Sequence, residues 1–472
     1  MTLGIHGAGA YAPVLRIDGD TFADAWGKFG GAGIDKKAVP EADEDALTMG
    51  WEAGRRALAA TGDTGSDVAW LGFATTTPPL AESDLTARLG SFYGVDEVAT
   101  RQVFTGSTRA GTRALFAALD ADFENGVGLV IASDCPRSAP DDEREHAAGA
   151  GAAAFVVGPD APLAVTDRAE YATPFPGTRF RRTGSEHTEG IGVTSYDRKA
   201  FCETLSGAID RLDVDPADAD AAAVQAPDGS MPYRAAGEIG IERSTIETCA
   251  TVHELGDTGA ASVPLSVVRA LTDGADTVVG AAFGSGAAAD AFALDIAKPV
   301  PNHVALDGTV VLSYPEYLRR RKTITSGPPE GGGAYVSVPS WRRTIPQRHR
   351  LVAGQCPVCD ALAFPPEGAC TECGNLVAFD PTPLPREGTV VAATSISRGG
   401  EPPEFADQQA ASGSYAVVIA SFETDGKRVS IPLQVVAEQS TPAIGDDLTT
   451  VVRRLYEQEG VVRYCRKVHC ES

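Results

Sequence analysis

The chain has 472 residues, is 43% hydrophobic, and sets 40 basic against 64 acidic residues for a net charge of −24. That length exceeds one ordinary core and predicts two or three domains. The acid balance excludes the concentrated basic surface that nucleic acid requires, and no run approaches the roughly 20 apolar residues of a membrane span.

Taken in chain order, the opening Met-Thr-Leu-Gly-Ile-His-Gly-Ala-Gly-Ala-Tyr-Ala-Pro13 lacks the basic and apolar regions of a secretory leader and is expected to enter a first strand directly. From there to residue 297 the texture is α/β. Apolar runs at 68–73, 127–132, 153–157, 221–224 and 277–283 read as strands, and the stretches 45–60, 111–122 and 195–212 read as helices. This alternation predicts helices covering a mostly parallel sheet. The acidic runs 41–45 and 141–145 read as solvated surface. Only eight of the basic residues are lysine. Acid spread along the whole chain suggests a salt-adapted, halophilic surface more than a site for a basic partner.

Residues 298–350 change character, with Pro-Val-Pro, the run Gly327-Pro-Pro-Glu-Gly-Gly-Gly333 and an Arg-rich 319–322, and read as a linker with a short helix near Tyr314. Next comes Cys356-x2-Cys359-x10-Cys370-x2-Cys373. Each Cys-x2-Cys pair can form a tight knuckle that aims two thiolates at one tetrahedral cation, and Gly374 suits the turn after the second. Four thiolates leave no open position for a substrate water, so the implied metal is a structural zinc; a redox dithiol or an iron–sulfur cluster is the alternative. The other five cysteines are scattered, which suits a reducing cytoplasm. After residue 377 come strand-like runs at 388–397, 414–423, 428–436 and 449–456, the pattern of a small β-barrel. The expected domains are therefore 1–297, a linker 298–350, a zinc ribbon 351–376 and a barrel 377–472.

Six stretches of the first domain, in order, resemble the hydroxymethylglutaryl-CoA synthase group of the thiolase superfamily. Gly4-Ile-His-Gly-Ala-Gly-Ala-Tyr-Ala-Pro13 is similar to the family's first strand and turn, and Ser107-Thr-Arg-Ala-Gly-Thr-Arg-Ala-Leu115 to its nucleophile turn. Ala148-Gly-Ala-Gly-Ala-Ala-Ala-Phe-Val-Val157 matches a Gly-Ala-rich strand entry. Gln225-Ala-Pro-Asp-Gly-Ser-Met-Pro232 resembles a His-x-Pro-Asn-Gly-Lys-x-Pro loop, Leu255-Gly-Asp-Thr-Gly-Ala-Ala-Ser-Val-Pro264 a Gly-Asn-Thr turn, and Phe283-Gly-Ser-Gly286 the closing glycine loop. The resemblance implies a layered α/β thiolase-like fold with two similar halves, a CoA thioester as ligand, and a homodimer or a complex with an active thiolase-like enzyme. The ribbon and barrel resemble the zinc-ribbon OB-fold proteins that accompany thiolases in archaea and bacteria. Isoprenoid precursor supply is that family's setting.

The family's chemistry needs a cysteine nucleophile at a helix start, a glutamate base, and a histidine and an asparagine that position the thioester. Here these positions fall on Thr108, Thr76, Gln225 and Asp257, and the loop asparagine falls on Asp228. Ser107 lies beside Thr108. Glu82 could replace the glutamate only if its loop bends inward. His253 could approach the pocket, and Cys249 and His253 are spaced as a dyad would be, although a buried packing cysteine and a loop histidine are the plainer readings; Cys135 reads as a packing residue too. Thr and Gln can hydrogen-bond a thioester carbonyl but do not shuttle protons at neutral pH. The residues fit a scaffolding or substrate-channelling subunit of an acyl-CoA condensing system. An acyltransferase with altered catalytic residues and a pure interaction module are the alternatives.

Overall fold

Strand-forming runs of small residues allow layers to approach closely in this protein, whose computed structural model describes residues 3–122, 125–325, 337–397, 403–437, 439–458 and 460–470. The Gly-Pro-rich stretch of the expected linker lies outside the described residues. The chain divides into two units, one of Met1–Pro40 with Asp45–Tyr317 and one of Glu41–Glu44 with Leu318–Ser472.

The first unit contains β1 (Leu3–Tyr11), β2 (Leu15–Asp18), β3 (Lys36–Val39), β4 (Val68–Ala74), β5 (Thr100–Phe104), β6 (Val127–Asp134), β7 (Gly151–Pro159), β8 (Leu163–Ala172), β9 (Ala221–Val224), β10 (Thr277–Gly284), β11 (Ala288–Ile296), β12 (Asn302–Ala305) and β13 (Val310–Val311). Ten of these form one sheet in the order β5-β4-β6-β7-β1-β8-β11-β10-β9, with β12 added beside β1, and β13-β2-β3 form a small separate one. The large sheet is mixed where alternation predicts a mostly parallel one. Its flanks are parallel, β4 with β5 and β6 and β9 with β10, whereas β7, β1, β8 and β11 pair antiparallel through the middle. Residues 285–287 between β10 and β11 are too few for a crossover, so that pair closes as a hairpin. Strands β8 and β11 were absent from the expected set: β8 alternates half-buried with exposed residues after Leu163, and β11 is a largely buried Ala-rich run interrupted by aspartates.

Helices Ala110–Leu119 and Ser262–Thr272 lie in one core with residues from both flanks of the sheet, among them Ala74, Val130, Ala223 and Val278. Helix Ala46–Thr61 packs on β1, β6 and β7, and helix Thr194–Ile209 on β8, β10 and β11. The layers thus repeat in two similar halves around a central helical pair. Gly9 allows one close approach: a Cβ there would stand 2.3 Å from the Ala53 carbonyl oxygen.

In the second unit, β14 (Val352–Gln355), β15 (Leu362–Ala363) and β16 (Asp380–Pro383) form a three-stranded ribbon around the cysteines. Strands β17 (Glu387–Ile396), β18 (Tyr415–Thr424), β19 (Lys427–Gln434), β20 (Asp447–Gln458) and β21 (Val461–Cys470) follow in an all-antiparallel sheet of order β19-β18-β17-β20-β21. A bridge between Val435 and Val468 brings its ends together into a nearly closed barrel. β21 is the strand that sequence reading missed; its Arg-Lys pair masks an apolar, largely buried face.

The acidic run 41–45 is a correction: it is buried, not solvated. Asp45 caps helix Ala46–Thr61, accepting from the backbone N–H groups of Leu47 and Thr48 at 3.0 Å each. Within the second unit, Lys467 Nζ lies 2.7 Å from Asp43, Arg453 3.2 Å from Glu44 and Arg320 2.6 Å from Glu41. The run 141–145 is corrected at its end, where Glu145 is buried and accepts from the Tyr317 hydroxyl and, at 2.5 Å, from the Ser138 N–H.

Both members of the Lys467–Asp43 pair are almost fully buried, so Asp43→Ala leaves an ammonium without its counter-ion. It should destabilise the second unit by about 3–5 kcal/mol in denaturant titration. Burial, opposed by the Arg320 guanidinium, pushes the Glu41 carboxyl up from 4.5 to about 7. The folded state then holds a proton that the unfolded chain has released between those values. The Glu41 contribution to stability should therefore grow as pH falls from about 7 toward about 4.5 and be lost as pH rises. Glu41→Gln should flatten that slope in stability measured across the window.

Candidate functional site

The turn before helix Ala110–Leu119 carries Thr108, which is buried and donates its hydroxyl proton to the Phe283 carbonyl at 2.5 Å. The next side chain, Arg109, reaches the wholly buried Asp290 at 2.6 Å, and Thr112 donates to the other carboxylate oxygen at 2.5 Å. These contacts tie the start of the helix to β10 and β11. Burial raises the Asp290 carboxyl, opposed chiefly by Arg109.

Gln225 follows β9 directly. Its backbone N–H donates to Ala281 O at 2.8 Å, and its side-chain amide nitrogen donates to Gly259 O at 2.9 Å. Asp257 sits in the turn before helix Ser262–Thr272; it accepts from Gly259 N–H at 2.9 Å and is ion-paired to Arg179. Its own N–H donates to Ala147 O, and its carbonyl accepts from Gly149. Thr108, Gln225 and Asp257 all line one cavity of about 350 Å³, with Arg144, Arg179, Asp197, Asp228 and Arg234 among its other walls. Three of the four positions expected from the resemblance are therefore brought together.

The fourth, Thr76, does not line that cavity. It serves the buried carboxylate of Asp134 at the end of β6, donating from its N–H at 3.0 Å and its hydroxyl at 2.7 Å. Asp134 also accepts from the hydroxyls of Thr75 and Thr77 and from Ala260 N–H. Five donors on one carboxylate explain three consecutive threonines. Glu82 is exposed and its loop does not bend inward.

His253 does not reach the cavity. Its ring nitrogens lie 2.7 Å from the Tyr233 hydroxyl and 2.5 Å from Gly33 O. Cys249 is fully buried in the hydrophobic core, which pushes its thiol up to about 12; no Cys–His dyad forms. Cys135 takes a backbone contact with Thr77. Sequence reasoning missed Arg179 and Asp197. Arg179 stood in a visible signal, the basic stretch Arg179-Phe-Arg-Arg182, whereas nothing in the neighbourhood of Asp197 marked it.

The four sulfurs of Cys356, Cys359, Cys370 and Cys373 lie within 4.8 Å of one another, close to the spacing of about 3.8 Å that tetrahedral zinc–thiolate bonds impose. The two knuckles are built alike. Asp360 N–H donates to Cys356 O and Gly374 N–H to Cys370 O, both at 2.8 Å; Cys356 N–H donates to Ala361 O and Cys370 N–H to Asn375 O. Gly374 adopts the positive φ of +72°, as expected, and Asp360 takes the matching place at +61°. The donor set fits a four-thiolate structural metal and leaves no ligand position for chemistry.

A family model described as "ChsH2, rubredoxin-like zinc ribbon domain" matches residues 343–377. The chain is 30% identical over 347 residues to the hydroxymethylglutaryl-CoA synthase of Methanosarcina acetivorans, spanning 69% of this chain and 99% of that protein. The synthase of Pyrococcus horikoshii is 30% identical over 333 residues, spanning 68% and 93%. Among solved structures, a 3-hydroxy-3-methylglutaryl-CoA synthase complexed with CoA superimposes with TM-score 0.62 at 18% identity, covering 71% of this chain and 95% of that one. A curacin-pathway synthase in complex with a holo donor acyl carrier protein gives 0.57 at 16% identity, covering 64% and 82%. These likenesses establish the thiolase-like fold of the first unit.

Two outcomes follow. Elemental analysis of the purified chain should find about one zinc per chain, lost in Cys370→Ser. Arg179→Met leaves Asp257 buried without its cation and should lower stability by about 3–5 kcal/mol, an effect that Asp257→Asn in the same chain should largely relieve.

Proposed function

The chain belongs to the hydroxymethylglutaryl-CoA synthase family, and on that premise we propose that its first unit binds an acyl-CoA thioester without forming a covalent acyl-enzyme, as a substrate-handling subunit of an acyl-CoA condensing system. The observation that carries this reading is the state of Thr108. It stands where the family's cysteine nucleophile would, its only proton is given to a backbone carbonyl, and the cavity wall brings no histidine to it. Attack on a thioester requires a base to take that proton. Gln225, at the family's histidine position, titrates at no accessible pH.

The cavity is compatible with an acyl end seated against Thr108 and Gln225, with Arg144 and Arg234 supplying positive charge along its wall. The ribbon and barrel of the second unit support docking on an active thiolase-like enzyme, by resemblance to the modules that accompany such enzymes. The zinc is structural in this reading and the compartment the cytoplasm; no helix among the described residues is long and apolar enough to cross a membrane. A working acyltransferase has one feature in its favour, the Asp134 carboxylate beside Thr76. Its oxygens are already engaged by five donors that tie two turns together, which fits a positioning role better.

Intact mass measurement after incubation with acetyl-CoA should show no acyl adduct, while calorimetry with the same thioester shows binding. Thr108→Ala should retain that binding. A stoichiometric adduct that disappears in Thr108→Ala would establish the acyltransferase instead. A pull-down from native extract should bring a condensing enzyme whose acyl-CoA turnover depends on this chain.

A further inference from the structure

One side of the cavity is walled by a segment with almost no core of its own. Residues 177–192, between β8 and helix Thr194–Ile209, form neither a strand nor a helix, and of these sixteen residues only Thr178 and Thr188 are buried. The large apolar side chains Phe180 and Ile191 are 36% and 54% exposed. The segment doubles back through one residue pair, in which the Phe180 N–H donates to Glu189 O at 2.9 Å and the Glu189 N–H to Phe180 O at 2.8 Å. A stretch with so few buried apolar contacts sits at the low end of local stability.

Its place and its ends give that weakness a direction. Thr178, Arg179 and Gly192 line the cavity, while residues 180–184 are exposed, so the wall here is one chain thick. Gly177 and Gly192 stand at the two ends with φ of +87° and +68°, joined by the Ile191 N–H donating to Gly177 O at 2.9 Å. A Cβ at Gly192 would meet no atom within 4 Å, so conformation and not crowding calls for glycine there. Two such residues side by side can absorb a rotation of everything between them.

Polar contacts fasten the segment to the body. Arg179 pairs with Asp257 inside the cavity, and Arg181 donates to Thr76 O. The Thr188 N–H donates to Arg137 O at 2.7 Å, Thr188 O accepts from the Ser138 hydroxyl at 2.5 Å, and Arg137 lies 2.9 Å from Glu186. Contacts of this kind exchange for contacts with water at a small net cost.

We propose that residues 177–192 are a lid, hinged at Gly177 and Gly192 and latched by Arg179 on Asp257, which opens to admit the acyl thioester and closes over it. The inference rests on the reading that an acyl-CoA enters this cavity. No covalent bond is made or broken.

The test is hydrogen–deuterium exchange of the full chain, read by mass spectrometry with and without acetyl-CoA. The bonded N–H groups of Phe180, Thr188, Glu189 and Ile191 should exchange together, at least about tenfold faster than those of β8. Saturating acetyl-CoA should slow them at least about tenfold and leave β8 unchanged. Ser138→Ala, which removes the hydroxyl held on Thr188 O, should speed opening of the free chain about fivefold. Lid amides as slow as those of β8 in the native chain overturn the inference and leave the proposed function standing. Lid amides that exchange fast but are not slowed by a thioester that calorimetry finds bound also overturn it alone. Absence of acetyl-CoA binding in calorimetry overturns the two together. The decisive comparisons use the native chain, so the inference is tested even where the variant does not fold.

Discussion

A charge taken out of water must find its partner within the fold, and this requirement organises the molecule at each place where its two units become functional. Asp290 shows it most clearly. It is wholly buried, and Arg109 and Thr112 satisfy it from the first turn of helix Ala110–Leu119. The helix cannot slide or rotate without orphaning that carboxylate, so Thr108, two positions ahead of the helix, is held against β10. Asp134 holds the Thr75–Thr77 turn and the Gly259–Ala261 turn in the same way, and Asp257 with Arg179 fixes the wall between them. The cavity is the space left over once these carboxylates have been served.

The same requirement applies to the neutral polar groups of the cavity wall. A threonine at a buried turn brings a hydroxyl whose proton needs an acceptor, and for Thr108 the Phe283 carbonyl supplies it. A buried glutamine brings an amide whose donors need partners, and the Gln225 nitrogen settles on Gly259 O. Both side chains are held in place by contacts within the fold.

Much of this was legible in the sequence. The order of six motifs named the fold, and the cysteine spacing located the cluster of four sulfurs to the residue. Thr108, Gln225 and Asp257 could be placed in one pocket because each follows a strand or precedes a central helix at a recognisable turn. Thr76 could not, since its partner Asp134 is 58 residues away and no local pattern announces a carboxylate that three threonines will surround. Arg179 stood in a visible basic stretch, but its partner Asp257 is 78 residues away. The run 41–45 was misread because composition reports charge and not its neighbours: Lys467 and Arg453, more than 400 residues along, are what bury Asp43 and Glu44. The mixed sheet was misread because alternation of elements does not state strand direction.

The burial of Lys467 and Lys37 has a consequence for how the chain would meet activated acyl groups. Thioesters acylate accessible, deprotonated amines without any enzyme. The chain has eight lysines. Lys467 is held as a cation against Asp43, and Lys37 is buried between the rings of Phe22 and Tyr317, 2.9 Å from the Tyr317 hydroxyl. Arginine supplies most of the remaining positive charge and stays protonated. Six lysine side chains remain over 472 residues, and a surface so poor in them resists adventitious self-modification by activated acyl groups.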